Sequence, residues 1–171
     1  MTSDLLKRQL IYHVDEERQL TCEEGERMVA YLDTKGILSV GVGHNCEASP
    51  CYFIIGRPIS KVGDTITRAE ETRLLEDDID VAERACSHID CYAGLSENRQ
   101  HVLLDMVFNM GVGKVLQFKH MLASLRAGLY REAAAHLLDS EYAREVKSRA
   151  IRLAVMLRDD LSFKDALRVV P

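Results

Sequence analysis

The spacing of apolar residues changes character once along this chain, at residues 28–43, and that change limits the possible folds more than any other feature. The residues there favour strands over helices; they are Val29, Tyr31, Ile37, Val40 and Val42. Thr34-Lys35-Gly36 provides a turn between them, which predicts a β-hairpin. A further short strand is predicted at Tyr52–Ile55, within a stretch that contains proline and glycine.

The rest of the chain has the period of helices. Apolar residues near helical spacing predict an amphipathic helix from residue 3 to about residue 22. Thr67 and Glu70 have the spacing of a capping box, so a long helix is predicted from Thr67 to about Cys91. Ser96 opens a helix that is apolar on most sides and ends at Gly111. Further helices are predicted at about 114–126, 130–139, 142–158 and 163–169.

Segregated β and α regions predict an α+β fold rather than an alternating α/β sheet. We predict one domain over residues 1–171, with a small β-hairpin lobe and a larger helical lobe joined by a long helix. Its predicted parts are an N-terminal helix at 1–23, the β lobe at 24–66, the interlobe helix at 67–91 and the helical lobe at 92–171. A groove between two lobes is a common place for a ligand.

Charge and hydropathy argue against several classes of function. The net charge is −5, without the bulk basic character of a nucleic-acid binder, so no nucleic-acid partner is expected. No run of 18 apolar residues is present, so no membrane span is expected. The charged N-terminus lacks a secretory apolar region, and we expect the protein to stay where it is made until something releases it.

The sequence contains five cysteines, at Cys22, Cys46, Cys51, Cys86 and Cys91. An odd number without a secretory signal favours reduced thiols. The two C-x4-C pairs have a spacing that zinc sites can use, but the paired knuckles of tight structural sites are missing. Buried, inert thiols are therefore predicted, without a metal or a cofactor, and a zinc site and a native disulfide are the alternatives.

Two acids and a hydroxyl around the hairpin suit general acid–base chemistry. Asp33 begins the turn and Ser39 lies on the second strand, so the two are expected close together, with Ser39 facing outward. Cleaving a glycosidic bond needs one protonated and one ionised carboxyl group. Glu24, at a shielded junction, would stay protonated and Asp33, in a polar turn, would stay ionised. Acids nine residues apart also occur by chance, so the spacing alone is weak support.

The same residues belong to a longer pattern. It reads Glu24-Gly25-x-Arg27, Tyr31-x-Asp33-x-x-Gly36 and Ser39-Val40-Gly41-x-Gly43-His44. This pattern resembles the phage-type lysozymes, the endolysins of tailed bacteriophages in glycoside hydrolase family 24. Their pattern is a Glu, eight residues, an Asp or Cys, five residues and a Thr, and here Ser39 replaces the Thr. Weaker similarity extends the resemblance over about residues 20–160.

The resemblance implies a lysozyme-like α+β fold and hydrolysis of the β-1,4 bond between N-acetylmuramic acid and N-acetylglucosamine in bacterial peptidoglycan. Glu24 would be the general acid, Asp33 the second carboxylate, and Ser39 the group that positions water, with inversion of the anomeric centre. No cofactor or metal is implied. In the family, the histidine that matches His44 pairs with an acid on the long helix. The best match for that acid here is Asp78, and the resemblance implies that this pair is structural.

Further positions are implied as substrate contacts, namely Asn45, Phe108, Asn109, His136, Tyr142 and Arg149. Phe108 and Tyr142 suit a core equally well. Arg149 would pair with Glu24 or hold anionic parts of the wall polymer. It also belongs to a locally basic segment that would attract an anionic polymer, with Arg144, Lys147, Arg152 and Arg158.

The resemblance also implies a biological role. The protein would be a monomeric endolysin that accumulates in the host cytoplasm and depends on a holin, a separate pore-former, to reach the periplasm and cell wall. The alternatives are a virion-associated muramidase, a transglycosylase that leaves 1,6-anhydro ends, and a non-catalytic wall-binding effector. The intact set of Glu24, Asp33 and Ser39 argues against a pure binder, which has no need of an acid.

Overall fold

A computed structural model of the chain describes residues 28–170. Glu24, Cys22 and the predicted N-terminal helix lie outside the described residues. The described chain divides into two compact units, residues 28–81 and residues 82–170. No helix in the described range is long and apolar enough to cross a membrane.

The smaller unit contains, within the described residues, an antiparallel sheet of three short strands. β1 is Tyr31–Leu32, β2 is Leu38–Val40 and β3 is His44–Asn45, in the order β1-β2-β3. The predicted hairpin corresponds to β1 and β2. The sequence pattern does not predict β3, because two residues cannot show an alternation of apolar and polar side chains.

The turn between β1 and β2 is closed by Asp33 and Gly36. The N–H of Asp33 donates to the carbonyl of Ile37 at 2.9 Å, and the N–H of Gly36 donates to the carbonyl of Asp33 at 3.0 Å. Gly36 has a φ of +78°, which glycine adopts without a steric penalty. The turn that Thr34-Lys35-Gly36 predicts is therefore confirmed.

A short helix, α1 (Tyr52–Ile55), occupies the place of the predicted strand, so that prediction is wrong. Four consecutive apolar residues fit a buried strand and a helical turn equally well. The backbone decides here, because Gly56 ends the segment in the left-handed conformation of a helix C-terminus. The core of the unit consists of Ala30, Val40, Cys46, Cys51, Ile59, Ile66 and Leu74.

The long helix α2 (Arg68–Cys86) begins at the predicted capping box. The N–H of Thr67 donates to Glu70 Oε2 at 2.8 Å, and the N–H of Glu70 donates to Thr67 Oγ1 at 3.3 Å. This is the reciprocal pairing that defines such a box. The helix ends before the predicted Cys91, where Ser87 Oγ donates to the carbonyl of Arg84 at 2.7 Å and competes with the helical pattern.

The larger unit is helical. After a 3₁₀ turn at Tyr92–Gly94 its helices are α3 (Glu97–Met110), α4 (Val112–Val115), α5 (Lys119–Arg126), α6 (Tyr130–Leu138), α7 (Glu141–Val146), α8 (Ser148–Asp159) and α9 (Phe163–Val169). Two predicted helices, at 114–126 and 142–158, are each split in two. The second split falls at Lys147, whose φ of +47° is incompatible with a continuous helix. The α+β prediction is confirmed.

Helix α3 supplies much of the core of the larger unit, as its apolar sequence predicts. All side chains from residue 101 to residue 107 are buried. The start of the helix is anchored by Arg99, whose Nε donates to the carbonyl of Leu157 at 2.9 Å. The Arg99 guanidinium also lies 3.5 Å from the centre of the Tyr130 ring, a cation–π contact. One charged side chain inside this core, Asp105, is important for the candidate site.

Candidate active site

Asp33 presents an ionised carboxylate at the end of the β1–β2 hairpin. Its Oδ1 accepts hydrogen bonds from the backbone N–H groups of Lys35 at 2.8 Å and Ile37 at 2.9 Å. These bonds, above all the one from Ile37, lower the pKa of Asp33 because they favour the charged form. Since both bonds fall on Oδ1, Oδ2 is the atom positioned to accept from a water or a sugar hydroxyl.

The strand register places Asp33 and Ser39 on one face of the sheet. Tyr31 is opposite Ser39, and Asp33 closes the same ladder opposite Ile37. Alternation then puts Asp33 and Ser39 on the same face as diagonal neighbours. Ser39 is also opposite Asn45 in β3, so the sheet brings together three predicted site residues from three strands or turns.

Ser39 is buried, with 3% of its surface exposed, so the prediction of an outward-facing hydroxyl is wrong. β2 is the central strand of the sheet, and its next residue, Val40, is also buried. The Ser39 Oγ donates to the carbonyl of Ile37 at 3.4 Å, a distance at which a hydrogen bond is weak. The oxygen of the hydroxyl can also accept hydrogen bonds.

Asn45 shapes the turn that follows β3. Its amide oxygen accepts from the backbone N–H groups of Glu47 at 3.0 Å and Ala48 at 2.9 Å. Such bonds are the usual way in which Asn stabilises a turn. Any contact of Asn45 with a ligand would therefore use its amide nitrogen.

His44 and Asp78 form the expected pair inside the smaller unit. His44 Nδ1 lies 2.9 Å from Asp78 Oδ2, and His44 Nε2 lies 2.8 Å from the carbonyl oxygen of Ser49. Both partners only accept hydrogen bonds, so the cationic imidazole, with a proton on each ring nitrogen, is the form that satisfies both contacts. Burial alone would lower the pKa of His44, but the hydrogen bond and charge of Asp78 outweigh it and raise the pKa. A histidine held in this way orders the sheet and is not free to act as a base.

Arg149 forms a two-point ion pair with Asp105 inside the larger unit. Arg149 Nε donates to Asp105 Oδ1 at 3.1 Å, and Nη2 donates to Oδ2 at 2.9 Å. The Asp105 side chain is completely buried and that of Arg149 is 15% exposed. Such parallel bonds hold a guanidinium in one orientation. The predicted pairing of Arg149 with Glu24 stays a prediction, since Glu24 lies outside the described residues.

The remaining predicted contacts differ in exposure. Asn109 is exposed and Phe108 is half-buried near the end of α3. Tyr142 is buried, and its ring meets that of Phe118 edge-on with the ring centres 6.3 Å apart. Tyr142 therefore packs within the larger unit, in agreement with its alternative interpretation as a core residue.

His136 lines a pocket of about 280 Å³ on the larger unit. Its ring centre lies 5.5 Å from that of His120. The lining residues are Gln117, Phe118, Lys119, His120, Met121, His136, Asp139 and Ser140. Within the described residues, no group of three or more His, Cys, Asp or Glu side chains is arranged to hold a metal ion.

Comparison with known proteins decides the family. The sequence profile described as phage lysozyme matches residues 21–153, a range that includes all of the predicted site residues from Glu24 to Arg149. The chain belongs to the phage lysozyme family.

Curated relatives are similar over most of this chain. The chain is 31% identical over 144 residues to the endolysin of Salmonella phage P22, covering 80% of this chain and 93% of that protein. It is 30% identical over 149 residues to probable T4-type lysozyme 1 of Dictyostelium discoideum, covering 78% and 88%. It is 31% identical over 149 residues to the pre-baseplate central spike protein Gp5 of Enterobacteria phage T4, covering 79% of this chain but only 26% of the spike protein.

The basic segment of this phage lysozyme is less available than its sequence suggests. Arg152 is buried, Arg149 is held by Asp105, and Arg158 pairs with Asp159 at 2.6 Å. Arg144 and Lys147 are exposed. The surface expected to attract an anionic polymer is therefore smaller than the five cations of the sequence suggest.

Asp105 is the residue of the site that sequence reasoning missed. It stands within the apolar run 102–108, where a charged side chain without a partner would be costly. That placement is itself a signal, because a carboxylate in the middle of a buried helix requires a cation or several donors. The signal does not identify the cation, which lies 44 residues away in the sequence.

Proposed function

We propose that this phage lysozyme is a muramidase that hydrolyses the β-1,4 bond between N-acetylmuramic acid and N-acetylglucosamine in bacterial peptidoglycan. Membership of the family supports a glycoside hydrolase that acts on peptidoglycan. The observation that carries the proposal is the carboxylate of Asp33, kept ionised by two backbone N–H groups on the sheet face that also carries Ser39. A binding protein has no need of an ionised carboxylate and a hydroxyl on the same sheet face.

The proposed reaction divides the work between two carboxyl groups. Glu24 donates a proton to the oxygen of the departing sugar. Asp33 Oδ2 accepts a proton from a water that Ser39 helps to orient, and that water attacks the anomeric carbon. This arrangement inverts the anomeric centre, because the water attacks from the side opposite to the departing sugar. Glu24 enters the proposal from its sequence position alone.

The larger unit would contribute to binding of the glycan strand. Asn109 and His136 are exposed and suit hydrogen bonds to sugar or peptide groups. Phe108 is half-buried and would offer one face of its ring, whereas Tyr142 is buried and would act by supporting its neighbours. Arg149 would act from the fixed orientation that Asp105 imposes.

The proposed biological role is lysis of the host late in phage infection. Similarity to the P22 endolysin over 93% of that protein supports it. In this role the enzyme is monomeric, waits in the host cytoplasm and depends on a holin to reach the cell wall. The match to the T4 spike protein favours a second candidate, a muramidase carried by the virion. Mass spectrometry of purified virions separates the two, since only the second role places the protein in the particle.

One assay tests the proposed reaction. Purified peptidoglycan is digested and the fragments are analysed by mass spectrometry, with wild type beside Glu24→Gln. We expect wild type to release fragments with reducing muramic acid ends, and Glu24→Gln to lose at least about a hundredfold in rate, the usual contribution of a general acid. Anhydro ends would instead identify a transglycosylase, and an unchanged rate in Glu24→Gln would remove the proposed acid.

A further inference from the structure

Two thiols lie in contact inside the core of the smaller unit. Cys46 Sγ and Cys51 Sγ are 3.6 Å apart, and both residues are buried free cysteines. Cys46 follows β3 and Cys51 precedes α1, so the contact closes residues 46–51 into a small loop. The same loop carries the carbonyl of Ser49, which accepts from His44 at 2.8 Å.

A second pair of cysteines in the chain provides an internal comparison. Cys86 and Cys91 have the same C-x4-C spacing, but between these two described residues the structure shows no hydrogen bond of sulfur to sulfur. Cys86 ends α2, and the backbone continues in turns, with the N–H of Ile89 donating to the carbonyl of Cys86 at 2.9 Å. The spacing therefore does not bring two sulfurs together by itself, and the turn at residues 46–51 does.

The contact brings the two sulfurs within reach of each other. Bonded sulfurs lie about 2.0 Å apart, so sulfurs that already touch at 3.6 Å have to approach by about 1.6 Å. No strand has to separate, because both cysteines lie outside β2 and β3.

We propose that Cys46 and Cys51 are an oxidation site that forms an intramolecular disulfide when the protein meets a low-molecular-weight disulfide, whereas Cys86 and Cys91 stay reduced. In the first step the thiolate of Cys51 attacks one sulfur of the small disulfide, which releases one thiol and leaves a mixed disulfide. The thiolate of Cys46 then attacks the Cys51 sulfur and releases the second thiol. The protein loses two electrons and two protons, and the small disulfide gains both.

The order of attack follows from the surroundings of the two thiols. Burial raises the pKa of Cys46 to about 12. Burial also raises the pKa of Cys51, but the hydrogen bond between the two thiols opposes that rise, so Cys51 is the thiolate that forms more readily. Because the thiolate is the reacting form, we expect oxidation over hours rather than seconds.

Access to the buried pair is available through α1. This helix has four residues and buries none of them completely, so its local opening costs little of the folding free energy. Opening α1 exposes Cys51, which directly precedes it. The disulfide belongs to the smaller unit and does not depend on the proposed catalysis.

Peptide mapping of the full-length protein tests the site. Reduced wild type is incubated with glutathione disulfide, the protein is unfolded in denaturant with iodoacetamide to block the remaining thiols, and it is then cut with trypsin. Residues 36–61 contain one pair and residues 85–99 contain the other, since the bond before Pro58 resists trypsin. We expect peptide 36–61 to be unalkylated and lighter by two hydrogen atoms, and peptide 85–99 to carry two alkyl groups.

Thermal unfolding provides a second readout. Closing a loop of six residues removes freedom from the unfolded chain, so the oxidised protein should unfold about 5 °C higher than the reduced protein. Cys51→Ala should abolish this gain, and Cys91→Ala should keep it. Two alkyl groups or a lasting glutathione adduct on peptide 36–61 would overturn the proposal, as would equal oxidation of both pairs. The mapping needs only wild type and therefore decides the matter even if a variant fails to fold.

Discussion

Two of the carboxylates, Asp33 in the smaller unit and Asp105 in the larger unit, are held in different ways. In residues 28–81, Asp33 accepts from backbone N–H groups two and four residues further along the chain, and Asp64 accepts from those of Ser60 and Lys61. In residues 82–170, Asp105 is completely buried and is held by the side chain of Arg149, 44 residues away. Asp33 and Asp64 are held by their own turns, whereas Asp105 is held by tertiary packing.

This difference distinguishes a carboxylate that is available for catalysis from one that stabilises the fold. A turn carboxylate keeps one oxygen directed away from the backbone, and its lowered pKa keeps it ionised, so that oxygen is free to accept a hydrogen bond from water. A buried carboxylate uses both oxygens in an ion pair, so its removal costs folding free energy before it costs catalysis. The comparison therefore predicts where substitutions reduce activity and where they reduce stability.

The largest effect is expected for Asp33→Asn. Asparagine keeps the Oδ1 that accepts from Lys35 and Ile37 but cannot take a proton from water, so activity should fall at least about a hundredfold with little change in stability. The matched control is Asp64→Asn, which changes a turn carboxylate of the same unit whose pKa is also lowered by backbone hydrogen bonds. Initial rates of peptidoglycan clearing measure both. Equal losses in the two variants would contradict a special role for Asp33.

The next effect is expected for Asp105→Ala, which leaves Arg149 without its buried partner. The free energy of unfolding should fall by about 3 kcal/mol, because breaking a buried ion pair is strongly destabilising. Asp90→Ala is the matched control, since the Asp90–Arg126 pair is exposed at both ends, and it should cost about 0.5 kcal/mol or less. Urea unfolding followed by circular dichroism measures both. A loss of unfolding free energy for Asp105→Ala as small as that for Asp90→Ala would contradict the expected contribution of the buried pair.

A smaller effect is expected for His44→Asn, which removes the charge paired with Asp78. Stability should fall by about 1–3 kcal/mol, and much of the activity should remain. Because the folded pKa of His44 is raised above 6.5, the contribution of the pair is complete below about pH 6.5 and is lost as the pH rises through the folded pKa. The difference between wild type and variant in urea should therefore be largest below about pH 6.5 and should shrink as the pH rises through the raised pKa of His44. Loss of activity without loss of stability would make His44 catalytic.

The smallest effect is expected for Thr67→Ala at the start of α2. It removes the hydroxyl that accepts from the N–H of Glu70 at 3.3 Å, and the loss of a cap typically costs about 1 kcal/mol. Ser87→Ala is the control. Ser87 lies just beyond the end of the helix, where its hydroxyl donates to the carbonyl of Arg84, and its removal should cost less unfolding free energy. Urea midpoints measured in parallel separate the two. A larger loss for Ser87→Ala would reverse the expected order.

The sequence could predict features whose residues are close together in the chain. The Thr67–Glu70 box and the turn at Thr34-Lys35-Gly36 are local patterns, and both are in their predicted places. Burial was harder to predict. Ser39 reads as outward-facing from alternation, but it lies on a central strand that is covered on both faces, which alternation cannot show.

By itself, the amino-acid sequence determined the α+β class, the hairpin with its turn, the capped start of the long helix and the family pattern around Asp33. These features depend on backbone preferences and on side chains within a few residues of one another. Tertiary structure alone decided that Asp105 meets Arg149 and that Ser39 is buried. It also decided that the sulfurs of Cys46 and Cys51 are in contact, whereas no sulfur-to-sulfur hydrogen bond joins Cys86 and Cys91. Such contacts depend on how distant or turning segments pack, and residue spacing does not encode the directions in which side chains meet.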